Sequence, residues 1–321
     1  MPSTPRVLLL HGFPPETTGT PADLRDHVEG MLPDVDLRMA TDHDDARERI
    51  PDAEVVIEHG ITDDLLERAE SLAWLQSLSA GVDRYDLDAF AQREVVMTNI
   101  SGVHANPIAE HVLAMALAFE RRLPRAIEQG RDREWRRFPA GELRGSTVGV
   151  VGVGEIGGRV AELASAVGTR VLGVKRDTST YNDAVDEIHP PDELHTVLGR
   201  SDYVVLACPL TDETEGMIGA RELASVGPDG VLINVARGAV VDQEALVAAI
   251  QEGYLGGAAL DVTDPEPLPR DSPLWDSSDV IVTPHMAGGS PEFPRRCAEV
   301  FAENYRRFVD GEVGAMRNRV L

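Results

Sequence analysis

With 321 residues, 42% of them hydrophobic, the chain is long enough for two domains, each with its own core. Its 30 Lys and Arg stand against 55 Asp and Glu, a formal net charge of −25 that repels nucleic acid and anionic membrane surfaces. Two distant cysteines, Cys208 and Cys297, do not make a secreted disulfide framework. With no signal-type opening segment and no bilayer-length apolar run, a cytoplasmic location is expected.

Residues 1–100 alternate strand-length apolar runs with helix-patterned segments. The runs at 7–10, 35–39, 55–58, 75–78 and 95–98 read as strands, with helical patterns such as 21–31 and 63–69 between them. That alternation implies a parallel sheet covered by helices on both faces. A stronger helix is predicted over 106–120, where Pro107 suits the first turn and Ile108, Val112, Met115 and Phe119 recur near helical spacing. Its alanines fit a core helix or a subunit interface, and a homodimer is expected. A second alternation begins near 146, with strands predicted at 147–152, 170–174, 203–207, 231–235, 257–262 and 280–283. The Pro-rich stretch 263–273 reads as a loop, and a last helix is predicted over 292–309.

The most informative feature lies between the first two strands of that second series. An apolar run leads into Gly152-Val153-Gly154-Glu155-Ile156-Gly157, and a helical pattern leads out. In that context G-x-G-x-x-G marks a dinucleotide site. Gly152 permits the tight turn, Gly154 lets the backbone approach a pyrophosphate, and Gly157 lets helix and strand pack closely. The helix N-terminus then offers free N–H groups to the phosphates. The bland alternative is a tight turn with no ligand.

The next strand, 170–174, ends at Lys175 and Arg176, where an NAD site carries an acid for the ribose 2′-hydroxyl. Two cations instead suit a 2′-phosphate. NADP(H) is therefore the preferred cofactor expected here, with NAD(H) as the alternative because Asp177 follows at once. Lys175 is also the only lysine in the chain. Near-absence of lysine with so much carboxylate predicts adaptation to concentrated salt, where self-repulsion is screened within ~3 Å at about 1 M. The nine histidines form neither H-E-x-x-H nor a Cys–His cluster, so no metal is expected.

Three ionisable residues follow late strands of the second series: Arg237, Glu266 and His285. Ligands of open parallel sheets bind beyond the carboxyl ends of the strands, so all three belong to the rim that carries the glycine turn. Each alone suits a solvated or structural role. Together, beside a hydride carrier, they form a working set. Hydride delivery to a carbonyl leaves charge on oxygen, which imidazolium can protonate, a carboxylate can support and a guanidinium can polarise.

These segments together resemble the D-isomer-specific 2-hydroxyacid dehydrogenase family over nearly the whole chain. The resemblance is carried by Ser79-Ala80-Gly81-Val82-Asp83, the glycine turn, Cys208-Pro209-Leu210-Thr211, Asn234-Val235-Ala236-Arg237-Gly238, Asp261-Val262-Thr263-Asp264-Pro265-Glu266-Pro267 and Thr283-Pro284-His285-Met286-Ala287-Gly288. It implies an α/β fold of two doubly wound parallel-sheet domains. A Rossmann-type nucleotide domain, 102–287, is inserted into a flavodoxin-like substrate domain built from 1–101 and 288–321, with a cleft between. His285 becomes the acid/base, Glu266 its partner and Arg237 the carboxylate binder. Ala80 and the backbone N–H groups of Gly81 and Val82 hold the substrate carboxylate, and His59 reaches it from a first-domain loop. Asp261 orients the nicotinamide amide. Glu155, Ile156, Cys208, Pro209, Thr214, Ala236, His285 and Gly288 line the cofactor pocket.

The implied activity is reversible reduction of a 2-ketoacid to a D-2-hydroxyacid. Glu266 separates the chain from formate-oxidising relatives, and Lys175 departs from the acid found there in many members. The competing reading is a dinucleotide-sensing scaffold, since the resemblance extends to a transcriptional corepressor that keeps the same trio. Glyoxylate, hydroxypyruvate, pyruvate and branched 2-ketoacids all remain open as substrates.

Overall fold

The computed structural model describes residues 4–13, 19–82, 85–180 and 182–321. They fall into two compact units: the chain up to His104 with Gly289–Leu321, and Ala105–Gly288.

In the first unit, β1 (Arg6–Leu9), β2 (Asp36–Met39), β3 (Val55–Glu58), β4 (Trp74–Ser77) and β5 (Val96–Thr98) form one sheet in the order β2-β1-β3-β4-β5. Every pairing is parallel. This is the flavodoxin-like order. The apolar runs are continuous because both sheet faces are covered. Val7, Leu9, Val55 and Ile57 enter one core, while Leu8, Leu10 and Val56 enter the other. The helix Pro21–Met31 is opened by a capping box: Thr20 Oγ1 accepts from Asp23 N–H, and Thr20 N–H donates to Asp23 Oδ2. Beside it in the first core lies the helix Phe293–Val309, contributed by the far end of the chain. Phe301 of that helix stacks on Trp74 at 5.1 Å, and the indole N–H donates to Thr98 Oγ1 at 2.8 Å. Fully burying side chains of this size contributes about 1.5–3 kcal/mol each. The last residues bridge to the edge strand, with Thr98 opposite Arg319.

The second unit carries β6 (Thr147–Val151), β7 (Arg170–Val174), β8 (Glu187–His189), β9 (Tyr203–Leu206), β10 (Val231–Asn234), β11 (Gly257–Leu260) and β12 (Val280–Val282). The order is β12-β11-β10-β9-β6-β7-β8, all parallel, with the reversal between β6 and β9. This is the Rossmann order extended by one strand. Successive strand residues again alternate between two cores. Val148, Val150, Tyr203, Val205 and Ile233 face the helices Ala105–Glu120 and Glu155–Ala166. Val151, Val204, Leu206 and Leu232 face the helices Ala220–Val226 and Gln243–Gln251.

Two elements were not expected from the pattern: the edge strand β8 and the helix Leu123–Arg131, which buries no residue. The strand predicted over 257–262 stops at Leu260, leaving Asp261 in a loop. No helix among the described residues is long and apolar enough to cross a membrane.

Candidate active site

The strand register of the second unit brings distant residues to one rim. Val174 pairs with Val151, Val151 with Leu206, Leu206 with Asn234, Asn234 with Leu260, and Leu260 with Val282. These are the last residues of β7, β6, β9, β10, β11 and β12. The residues that follow them therefore share the carboxyl edge of the sheet, at a topological switch point.

The glycine turn follows β6. Gly152 has φ +97°, and a Cβ there would lie 2.7 Å from the Cys208 backbone, so only glycine fits. A Cβ on Gly157 would lie 2.0 Å from the Gly152 carbonyl oxygen, which is how closely helix and turn pack. Over Gly154 a Cβ would meet nothing within 4 Å. Gly154 is the N-cap of the helix Glu155–Ala166 and supplies no side-chain cap. The first N–H groups of that helix thus face an open approach, and the cradle fits a pyrophosphate. Glu155 is exposed at this end, Ile156 is partly buried, and Cys208 is buried behind the turn.

Beyond β7 the two predicted cations diverge. Lys175 Nζ donates to the Thr180 carbonyl at 2.7 Å, on the wall of a cavity of about 490 Å3 that Gly154, Arg159 and Asn182 also line. Arg176 points instead to Glu213, at 3.6 Å, with both side chains 74% exposed. Asp177 stays exposed and accepts from the Ser179 N–H and hydroxyl. Those bonds, the hydroxyl's first, hold its carboxyl below the usual range. Thr214 closes its own loop: its hydroxyl donates to the Pro209 carbonyl at 2.6 Å and accepts from Thr211 N–H at 2.8 Å. Pro209 is exposed.

Glu266 and His285, expected as the acid–base pair, meet at the other end of the rim. Glu266 Oε2 lies 2.9 Å from His285 Nδ1, and Glu266 Oε1 accepts from Thr263 N–H at 3.1 Å. A carboxylate only accepts, so Nδ1 carries the hydrogen and Nε2 is left to a ligand. The two side chains are 40% and 51% exposed, which leaves Nε2 accessible. Arg237 stands on a turn shaped by the buried Asn234, whose side chain accepts from Ala236 N–H and donates to the Arg237 carbonyl. A Cβ on Gly238 would lie 2.0 Å from the Thr263 carbonyl, so the Arg237 turn lies directly against the loop that carries Glu266. Ala236 is buried within the turn.

His285 has φ +51°, a left-handed conformation that a side chain adopts at a cost of about 1–3 kcal/mol. Asp261 holds it there. Its carbonyl accepts from His285 N–H at 2.8 Å. Its carboxylate, 3% exposed, accepts from Thr283 Oγ1 at 2.6 Å and from Met286 and Ala287 N–H at 3.0 Å each. His111 Nε2 lies 3.1 Å from Thr283 Oγ1. Since Thr283 donates to Asp261, His111 must donate to Thr283. Burial lowers the pKa of His111, against the pull of Asp261. Gly288 follows this loop, partly buried.

In the first unit, His59 follows β3 and the segment Ser79–Val82 follows β4, whose ends pair as Glu58 with Ser77. Asn99 Nδ2 donates to the Ala80 carbonyl at 2.8 Å, and Ile100 N–H to the Ser79 carbonyl at 3.3 Å. Among the described residues the N–H groups of Gly81 and Val82 donate to no protein group. Asp83, the last residue of that motif, lies outside the described residues.

The family model for the D-isomer specific 2-hydroxyacid dehydrogenase NAD binding domain matches residues 113–287. A glyoxylate reductase of Korarchaeum cryptofilum is 34% identical over 83% of this chain and 82% of its own length. The chain belongs to the D-isomer specific 2-hydroxyacid dehydrogenase family. A D-3-phosphoglycerate dehydrogenase of Methanocaldococcus jannaschii is 30% identical over 87% of this chain, which spans only 54% of that relative's length. A solved structure of a family protein from Aeromonas salmonicida superposes with a TM-score of 0.87 at 33% identity, covering 99% of both chains. The doubly wound fold is thus that of the family, and its nucleotide cofactor is of the NAD(P) type.

Sequence reasoning left Asn234, Thr283 and His111 without a role. The first two stand inside the quoted motifs, where their chemistry was legible as short polar groups at strand ends. His111 sits on a helix face among apolar residues, and nothing in its spacing announced Thr283 as its partner.

Proposed function

We propose that this protein reduces 2-ketoacids to D-2-hydroxyacids with NADP(H) as its preferred cofactor. The observation that carries the reading is the contact of His285 Nδ1 with Glu266 Oε2 at 2.9 Å, on a loop packed against the Arg237 turn. Gly152, Gly154, Gly157 and the open helix N-terminus would hold the pyrophosphate, and Lys175 with Arg176 would take the 2′-phosphate. Ala236, Cys208, Pro209, Glu155, Ile156 and Gly288 would line the remaining path. The bound nicotinamide supplies the hydride.

This chain's own residues do the rest. Glu266 fixes the imidazole with its hydrogen on Nδ1 and stabilises the imidazolium. Protonated His285 gives its Nε2 proton to the ketoacid oxygen as that oxygen becomes negative, and in the reverse direction the neutral ring takes it back. Arg237 binds the carboxylate and polarises the adjacent carbonyl. Ala80 and the free N–H groups of Gly81 and Val82 supply a second carboxylate contact, with His59 beside them on the same rim of the first unit. Asp261 would orient the nicotinamide amide, and Thr214 would line the cofactor path.

The test is a panel of 2-ketoacids mixed with protein and NADPH, followed by the absorbance of the reduced cofactor. Turnover is expected with at least one small 2-ketoacid, and His285→Ala should lower it by roughly 10²–10⁴. Wild-type turnover in His285→Ala would refute the mechanism.

A further inference from the structure

A hydrogen-bond chain in the first unit runs from the segment after β4 to a carboxylate with no exposed surface. Ser79 N–H donates to Ser77 Oγ at 3.1 Å, Ser77 Oγ lies 2.8 Å from Tyr85 Oη, and Tyr85 Oη donates to Glu58 Oε1 at 2.7 Å. Glu58 and Ser77 are both 0% exposed, and they face each other as the last pair of β3 and β4.

Counting donors fixes the direction of every link. Tyr85 has one hydroxyl hydrogen, and Glu58 takes it. Tyr85 Oη must then accept from Ser77. Ser77, having donated, accepts from Ser79. All three hydrogens point toward Glu58, an arrangement in which each bond strengthens the next. The same short segment is gripped from its other side, where Ile100 N–H holds the Ser79 carbonyl and Asn99 holds the Ala80 carbonyl. Among the described residues, what remains unengaged between these grips is the pair of N–H groups on Gly81 and Val82.

We infer that Tyr85 is a positioning residue for the substrate carboxylate: through Ser77 it sets Ser79, and so aims the N–H groups of Gly81 and Val82. The inference rests on the reading of those two groups as carboxylate donors. Tyr85→Phe keeps the ring, which packs against Phe90 at 6.2 Å, and removes the hydroxyl that links Ser77 to Glu58.

Steady-state kinetics with glyoxylate and NADPH test it. Tyr85→Phe removes two hydrogen bonds, to Glu58 and from Ser77, and should raise the glyoxylate KM about five-fold or more, the equivalent of at least one of them. A loss confined to carboxylate binding leaves kcat within about two-fold and the NADPH KM unchanged. An unchanged glyoxylate KM, or equal rises in both KM values, overturns the inference.

Ser77→Ala removes the same link and should give the same split, which keeps the test open if Tyr85→Phe does not fold. Amide hydrogen exchange with oxamate, a 2-ketoacid isostere that cannot be reduced, separates the two layers of the argument. In the wild type oxamate should slow exchange at Gly81 and Val82, and its Kd should weaken in Tyr85→Phe. Absence of protection in the wild type defeats the donor reading itself. Protection with an unaltered Kd in Tyr85→Phe defeats only the role of Tyr85.

Discussion

Replacing Asp261 by Asn would probe what holds His285, the proposed general acid, in place. The carboxylate serves three donors: Thr283 and Met286 at Oδ1, and Ala287 at Oδ2. An amide keeps one oxygen. Placed at the Oδ1 position it still serves Thr283 and Met286, but its NH2 then faces the Ala287 N–H, donor against donor. Ala287 is 4% exposed, so its N–H would be left buried and unsatisfied, at about 1–3 kcal/mol. The strain of His285 at φ +51° is of the same size, about 1–3 kcal/mol, so the loss removes a contribution comparable to what that conformation costs. For a domain of this size each kcal/mol shifts Tm by about 2–4 °C, giving a fall of about 2–12 °C. Misplacing the imidazole by the same free energy lowers kcat by up to about a hundredfold. The assay is a thermal melt without cofactor, paired with ketoacid turnover. A Tm within about 1 °C of wild type would refute the anchoring role, since that corresponds to well under 1 kcal/mol. Loss of turnover alone would then locate Asp261 at the nicotinamide.

Three other outcomes follow from the geometry. Lys175→Ala with Arg176→Ala should raise the NADPH KM and leave the NADH KM nearly unchanged; an unaltered NADPH KM would end the cofactor assignment. Tm should rise between dilute buffer and about 1 M KCl, where screening falls to ~3 Å, and a flat melt curve would count against salt adaptation. Glu187, held to about 2 chiefly by its hydrogen bonds to Arg200, contributes stability that is fully present above its ordinary 4.5 and lost as pH falls through about 2. The Tm gap between wild type and Glu187→Gln should therefore be constant near neutrality and shrink below about pH 4.5; a gap that widens in acid would contradict it.

Much of this fold was legible because buried parallel strands leave unbroken apolar runs, and because Gly152 and Gly157 stand where any side chain would collide. The trio was legible because each member follows such a run. The edge strand β8 was not, since Glu-Ile-His offers one apolar residue and is held by register with β7 and by the contacts of Glu187 with Arg170 and Arg200. The helix Leu123–Arg131 does carry Leu123, Ala126 and Ile127 at helical spacing, but the stripe is short, opens on Leu-Pro and is left unburied, so its signal is weak. Asp261 looked like the interior of a strand because strand periodicity cannot tell where pairing stops. The turning of its carboxylate toward residues 22 to 26 positions later depends on tertiary contacts alone.

The aligned ends of β7 to β12 have an implication for redesign. Each chemical group hangs from its own loop, beyond a strand whose neighbours lock its height. The loop after β7, which would discriminate between cofactors, is separated by β6 and β9 from those that hold His285, the proposed proton donor, and Arg237. Nucleotide preference and acid–base chemistry should thus be exchangeable as separate parts: a graft of the segment after Val174 ought to change which coenzyme is taken without disturbing the pairing of Glu266 with His285.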